Sequence, residues 1–250
     1  MMHDRSLAAL LVITLLMAGT AQAASIKSPI VHQGEAEFEV EVEATDDKDS
    51  NKAGEAEFAV AIGYGVTDFW FFEIESEWAR DPGSRFKHKV LGLENRFQIL
   101  PQGEYLLDVG FYAKYEFGTR KNAADELTLG PIFQHDVGDF RFTANPFLSV
   151  EVDGGTDAAP EFKYGLRAQY LLHKAFMPSV EFHGNTGEII ASKRQSEQTH
   201  QLGPVVSGSL SAAPLGLPGK FGYEIGVLFG LTDATPDQTY KAKLEYEFAF

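Results

Sequence analysis

Between Gln238 and Phe250 apolar and polar positions alternate without a break. Tyr240, Ala242, Leu244, Tyr246, Phe248 and Phe250 fall on one side, and Lys241, Lys243, Glu245, Glu247 and Ala249 on the other. A period of two is that of a β-strand; a helix would mix the two faces. The same alternation recurs upstream over 34–43, 55–64, 69–78, 86–99, 105–117, 126–134, 140–152, 161–171, 176–183, 198–210 and 220–231. Turn signals separate these runs: Gly65–Asp68, Arg80–Ser84 with its Pro-Gly pair, Pro101–Glu104 and His135–Asp139. Pro178 interrupts the run at 176–183, and Ser211–Gly219 is a long Pro-Gly-rich connection.

The pattern predicts an all-β chain of about twelve strands, an even number, with many runs of the roughly 9–11 residues that a tilted strand needs to cross a bilayer. A closed antiparallel up-and-down transmembrane β-barrel satisfies every backbone group without an exposed edge. Both ends of such a barrel lie on the periplasmic side. Its lipid-facing side would carry Trp70 and Trp78, eight residues apart on one face, and Tyr105 and Tyr115 on the run 105–117. At about 3.3 Å per residue and a tilt near 40°, each pair spans roughly 20–25 Å, the spacing of two aromatic girdles. Arg85, Lys87 and Lys89 share the outward parity of Leu91 near the extracellular end, where they could meet lipid phosphates.

Residues 1–23 have the form of a secretory signal: Arg5 at the start, an apolar stretch from Leu7 to Met17, and Ala21-Gln22-Ala23 as a small-residue cleavage site. Residues 24–250 then form one barrel domain in the outer membrane of a Gram-negative cell. Cysteine is absent, so hydrogen-bond ladders rather than disulfides must hold the exported chain. The net charge of −15 argues against a nucleic-acid partner. Mean hydropathy is −0.16, which fits a barrel because half of its strand residues face the inside.

The inward faces carry the candidate chemistry. Glu73, Glu75 and Glu77 continue an acidic wall begun by Glu35–Glu43, and Arg96, Lys114, Arg141, Lys163 and Arg167 stand on later strands as a basic wall facing it. These eight residues are the pore-lining candidates. Lys241 and Lys243 would lie beside Glu35–Glu43 once the barrel closes. Such transverse charge separation resembles the lumen of porins; interlocking pairs that close the barrel are the other reading. Catalytic readings are weaker. Ser179, Glu181 and His183 share a face, but Ser179 and His183 lie about 13 Å apart along it, too far for a triad. Asp47, Asp49 and Asn51 begin like a calcium loop, yet its sixth position is Lys52 and its twelfth Phe58. No metal-ligand spacing and no cofactor motif is present.

The closing strand resembles that of Gram-negative outer-membrane barrels, which typically end in Phe; the resemblance makes Tyr246, Phe248 and Phe250 an assembly signal read by the barrel assembly machinery. Gly63-Tyr64-Gly65-Val66-Thr67-Asp68, followed by an aromatic-acidic run, resembles the turn of the phenol-degradation MetA-pathway family of outer-membrane proteins. That resemblance implies a barrel channel for small, often aromatic molecules. The residues themselves favour a passive, porin-like channel for small polar or charged solutes, with lipids and lipopolysaccharide around it. A closed barrel with a structural or surface-interaction role is the alternative, and an outer-membrane lipid hydrolase a third.

Overall fold

Alternation becomes inside and outside. In the computed structural model, which describes residues 25–249 apart from 51, 122, 153–158 and 190–193, Glu73, Glu75 and Glu77 are buried while Ile74 between them is 47% exposed. The strands are β1 (Glu35–Asp46), β2 (Ala56–Gly65), β3 (Trp70–Arg80), β4 (Lys87–Gln98), β5 (Asp108–Gly118) and β6 (Glu126–Val137). They continue as β7 (Phe140–Glu151), β8 (Glu161–Tyr170), β9 (Met177–Glu188), β10 (Thr199–Ser211), β11 (Lys220–Gly230) and β12 (Gln238–Ala249). Each pairs antiparallel with its neighbour in the chain, and β12 pairs with β1 from Glu35↔Ala249 to Asp46↔Gln238, which closes the barrel. The expected twelve-strand up-and-down barrel is therefore the fold. The signal segment and Phe250 lie outside the described residues.

Apolar side chains cover the outer surface, among them Phe38, Ile62, Leu91, Phe111, Phe142, Val180, Ile225 and Leu244. An outside this apolar cannot face water over its whole height without a large hydrophobic cost. Inside, buried charge predominates, with smaller apolar contributions from Phe71, Ile132, Val205 and Leu228.

Several boundaries differ from the sequence reading, each for a local reason. β5 begins at Asp108, not at Tyr105. The Asp108 carboxylate accepts the Gly103 N–H at 2.7 Å, and Gly103 sits at φ 71°, so the chain turns through 99–107 before extending. Tyr105 thus lies in a turn, 59% exposed, and not on a strand opposite Tyr115. β9 runs on to Glu188; Pro178 is only its second residue, where the lost N–H matters least. The ladder of β6 and β7 is interrupted between Leu129↔Leu148 and Phe133↔Ala144, the stretch that holds Pro131 and Pro146.

A register shift between β3 and β4 falls at Glu77/Trp78. A bulge of this kind adds one residue and exchanges faces. Lys89 consequently points inward, with its ammonium 2.6 Å from both Glu57 and Glu77. The outward placement of Lys89 read from parity with Leu91 is therefore corrected. His88 takes the outward place, 5.2 Å from the Trp78 ring.

Candidate functional site: a lumen held by its own N-terminal segment

Among the described residues, chemistry-bearing side chains converge inside the barrel. Residues 25–33, which precede β1, do not lie along the rim but run through the lumen as a strap. The strap leaves the wall at Gly34, whose N–H donates to the Gly65 carbonyl at 2.8 Å. Val31 N–H then donates to the Gln98 side chain at 2.9 Å. Asn145 takes both polar groups of Lys27: its Oδ1 accepts the N–H at 2.7 Å and its Nδ2 donates to the carbonyl at 3.0 Å. Ser25 donates to Glu41 across the barrel. Glycines on the wall make room. A Cβ at Gly110 would stand 2.9 Å from Pro29 Cβ, and one at Gly165 would stand 3.2 Å from Ile26.

Charged side chains of the wall close around the strap. Lys27 Nζ lies 3.0 Å from Glu94 and 3.8 Å from Glu73. The Tyr112 hydroxyl donates to the same Glu94 at 3.1 Å. Arg96 spans Glu94 at 3.3 Å and Glu37 at 3.4 Å, and its guanidinium stacks on Phe71 at 4.0 Å. Lys114 meets Glu75 at 2.6 Å and Glu116 at 3.0 Å. On the other side Arg167 bridges Glu181 at 2.5 Å and Glu224, and Lys241 meets the same two carboxylates at 3.1 and 2.8 Å. Lys243 joins Glu39 and Glu245 near the closing seam.

The acidic and basic walls expected from sequence are not separate. Glu73, Glu75 and Glu77 are paired with Lys27, Lys114 and Lys89, and Arg141 and Arg167 pair elsewhere. Long lysine and arginine stems reach sideways over neighbouring strands, so face parity fixes which way a charge points but not which partner it finds. Arg141 instead forks onto Asp136 with two contacts of 2.8 Å, and Lys163 meets Glu126 at 2.7 Å, both partly exposed. A cavity of about 290 Å³ remains among Glu35, Glu37, Arg96, Arg141, Lys220 and Glu247.

Several girdle and assembly candidates, and the Ser179–His183 face rejected as a triad, have local partners among the described residues. The Trp70 indole N–H donates to Asn95 at 3.0 Å and its ring lies 6.4 Å from Phe97, while Trp78 packs 5.7 Å from Phe58. The Tyr115 hydroxyl donates to Asp125 at 2.8 Å. Tyr246 stacks 5.1 Å from Phe248 and donates to the Pro218 carbonyl at 2.8 Å. The Ser179 hydroxyl donates to the Val205 carbonyl at 3.0 Å, and His183 instead meets Glu181 at 2.8 Å, so the three do not form a hydrolytic relay. Asp47 and Asp49 lie in a loop where the Asp47 carboxylate accepts N–H groups of Asp49 and Asp237. These bonds hold it below the usual carboxylate range. The strap itself was not read from the sequence. Ile26, Pro29, Ile30 and Val31 show no alternation, and nothing local distinguishes a lumenal segment from a linker.

No known protein family matches this sequence, and no curated protein does. Solved structures do match in fold. The NanC porin superposes with a TM-score of 0.57 at 10% identity, covering 85% of this chain and all of that one. The COG4313 outer membrane channel from Pseudomonas putida F1 gives 0.57 at 13% identity over 93% of this chain and 98% of its own. The KdgM porin gives 0.54 at 10% identity over 84% and 98%. At such identities the likeness is one of fold: a closed barrel shared with outer-membrane channels.

Proposed function

We propose that this chain is an outer-membrane, porin-like passive channel for small polar or charged solutes, occupied in the present conformation by its own N-terminal segment. One observation carries the reading. The lumen is occupied by a segment that is not part of the barrel ladder, not by wall side chains alone, so it can empty without breaking that ladder. The three solved structures named above support it, being channels by name, as does a KdgM porin in complex with disordered oligogalacturonate. The Gly63–Asp68 likeness to the MetA-pathway family points to small aromatic cargo, but a lumen of carboxylate, ammonium and guanidinium groups favours polar or charged solutes. Lipids and lipopolysaccharide would surround the apolar face, and the barrel assembly machinery would read the strand ending at Tyr246, Phe248 and Phe250.

A second reading, a closed structural barrel, draws on the interlocked pairs such as Lys114–Glu75 at 2.6 Å. Single-channel recording of the refolded chain, alone and with Glu73, Glu75 and Glu77 all changed to Gln, separates the two. The channel reading expects cation-biased current steps when the strap vacates the lumen, and a weaker bias from the triple variant. No current from the parent and none from a folded Lys27→Gly chain, whose strap is loosened, would establish the closed barrel instead.

A further inference from the structure

The way the wall holds the strap is the way a protein holds a bound peptide. Asn145 is 2% exposed and satisfies both main-chain groups of Lys27, the N–H at 2.7 Å and the carbonyl at 3.0 Å. Four residues on, Gln98 accepts the Val31 N–H. These bonds read backbone, so they do not depend on the identity of the side chains above them. Lys27 is also held through its side chain. Lys27 enters a socket made by Glu94 at 3.0 Å and Glu73 at 3.8 Å, with Tyr112 donating to Glu94 at its base. Both carboxylates are essentially without solvent contact, at 0 and 1%. Bare backbone at Gly110 and Gly165 forms a floor on which Pro29 and Ile26 lie.

Any buried segment needs partners for its main chain; the charged socket built around one side chain, Lys27 between Glu94 and Glu73, goes beyond what filling space requires. Removing Lys27 would also be costly, since Glu73 would lose its paired cation and Glu94 would keep only Arg96, at 3.3 Å, while both stay buried side by side. The emptied lumen therefore keeps a demand for a cationic, main-chain-bearing occupant.

We propose that the lumen is a binding site for an extended oligopeptide with a lysine or arginine side chain, and that the strap is its internal ligand. This deepens the channel reading by naming a solute class; binding itself is independent of that reading, and only passage through the barrel rests on it. The occupant's backbone pairs with Asn145 and Gln98, its ammonium or guanidinium sits between Glu73 and Glu94, and a small or proline residue two places on fits over Gly110. The strap competes for the same groups at high effective concentration because it is attached, so a free peptide enters only when the strap yields.

The test measures binding without ion current, which separates its failure from failure of the channel reading. A fluorescent peptide with the sequence of residues 25–32, Ser-Ile-Lys-Ser-Pro-Ile-Val-His, is titrated with refolded full-length protein carrying Lys27→Gly, and anisotropy is read. Saturable binding is expected, at least about ten-fold tighter than to the parent, whose strap is intact. A peptide with Glu in place of its lysine should bind at least about ten-fold more weakly. Adding Asn145→Ala should weaken the lysine peptide about ten-fold through loss of two amide bonds. A second chain, refolded intact and then cut at a protease site inserted between Gln33 and Gly34, covers the case in which Lys27→Gly does not fold. Its severed strap should exchange for the labelled peptide. Absence of saturable binding or exchange in folded protein would overturn the proposal, as would equal binding of the lysine and glutamate peptides. Indifference to Asn145→Ala would overturn it too.

Discussion

Glu181 lies at the centre of the densest charge cluster, with no solvent contact and with Arg167, His183 and Lys241 at 2.5, 2.8 and 3.1 Å. A carboxylate so placed shares with Glu224 the task of holding two permanent cations apart in a poorly hydrated space. Glu181→Ala should therefore destabilise the barrel by about 3–5 kcal/mol, the range for removing one partner of a buried ion pair. Glu181→Gln, which keeps shape and one acceptor, should cost clearly less. Urea titration of refolded protein compares them; equal losses would show that packing, not charge, is what Glu181 supplies. The sequence marked Glu181 only as one of three polar residues on a strand. Its partners were invisible there because they stand on β8 and β12, and no periodicity reports how far an arginine stem reaches across strands.

At the scale of elements the strands were legible and the strap was not. Twelve strands could be read because each exposes one face to an apolar surrounding and the other to charge, so selection against a misplaced face recurs at every second residue. The strap has no such period, since its environment differs from one residue to the next: amide at Lys27, bare glycine at Pro29, amide again at Val31. Departures within the strands trace to single residues that override the period, Gly103 with Asp108 before β5 and the bulge that turns Lys89 inward. The strap's hold on the wall can be tested at Gly110. A side chain there would meet Pro29 Cβ at 2.9 Å, Pro29 Cα at 3.0 Å and the Phe97 carbonyl at 3.1 Å. Gly110→Val should push the strap off while the ladder still closes. Trypsin reads the result: the Lys27–Ser28 bond, shielded in the parent, should be cut in the folded variant, with fragments identified by mass. Equal protection in folded parent and variant would show that the strap tolerates the intrusion.

For the whole molecule, the balance of charge decides what an open lumen would favour. The chain carries 36 acidic against 21 basic side chains, and many of the acids are gathered on the inward faces of β1, β3 and β12. Pairing removes much of their field at short range, as at Lys89 with Glu57 and Glu77, but it leaves carboxylates in excess. Low-dielectric walls focus such an excess into the aqueous path and raise the local concentration of cations. Salt sets how far that field reaches: about 30 Å at 0.01 M but about 8 Å at 0.15 M, comparable with the half-width of a barrel of this size. Conductance through the Lys27→Gly or Gly110→Val chain, in which the strap is loosened, should thus be larger than in the parent and cation-selective at low salt. The reversal potential under a salt gradient should shrink toward zero as both baths are raised toward 1 M, where the screening length falls to about 3 Å. A selectivity that persists unchanged at high salt would locate it in direct contacts at a narrow point. An anion preference at low salt would mean that the lumenal cations, Arg96 and Lys243 among them, govern the path in spite of the carboxylates that Lys27 leaves behind.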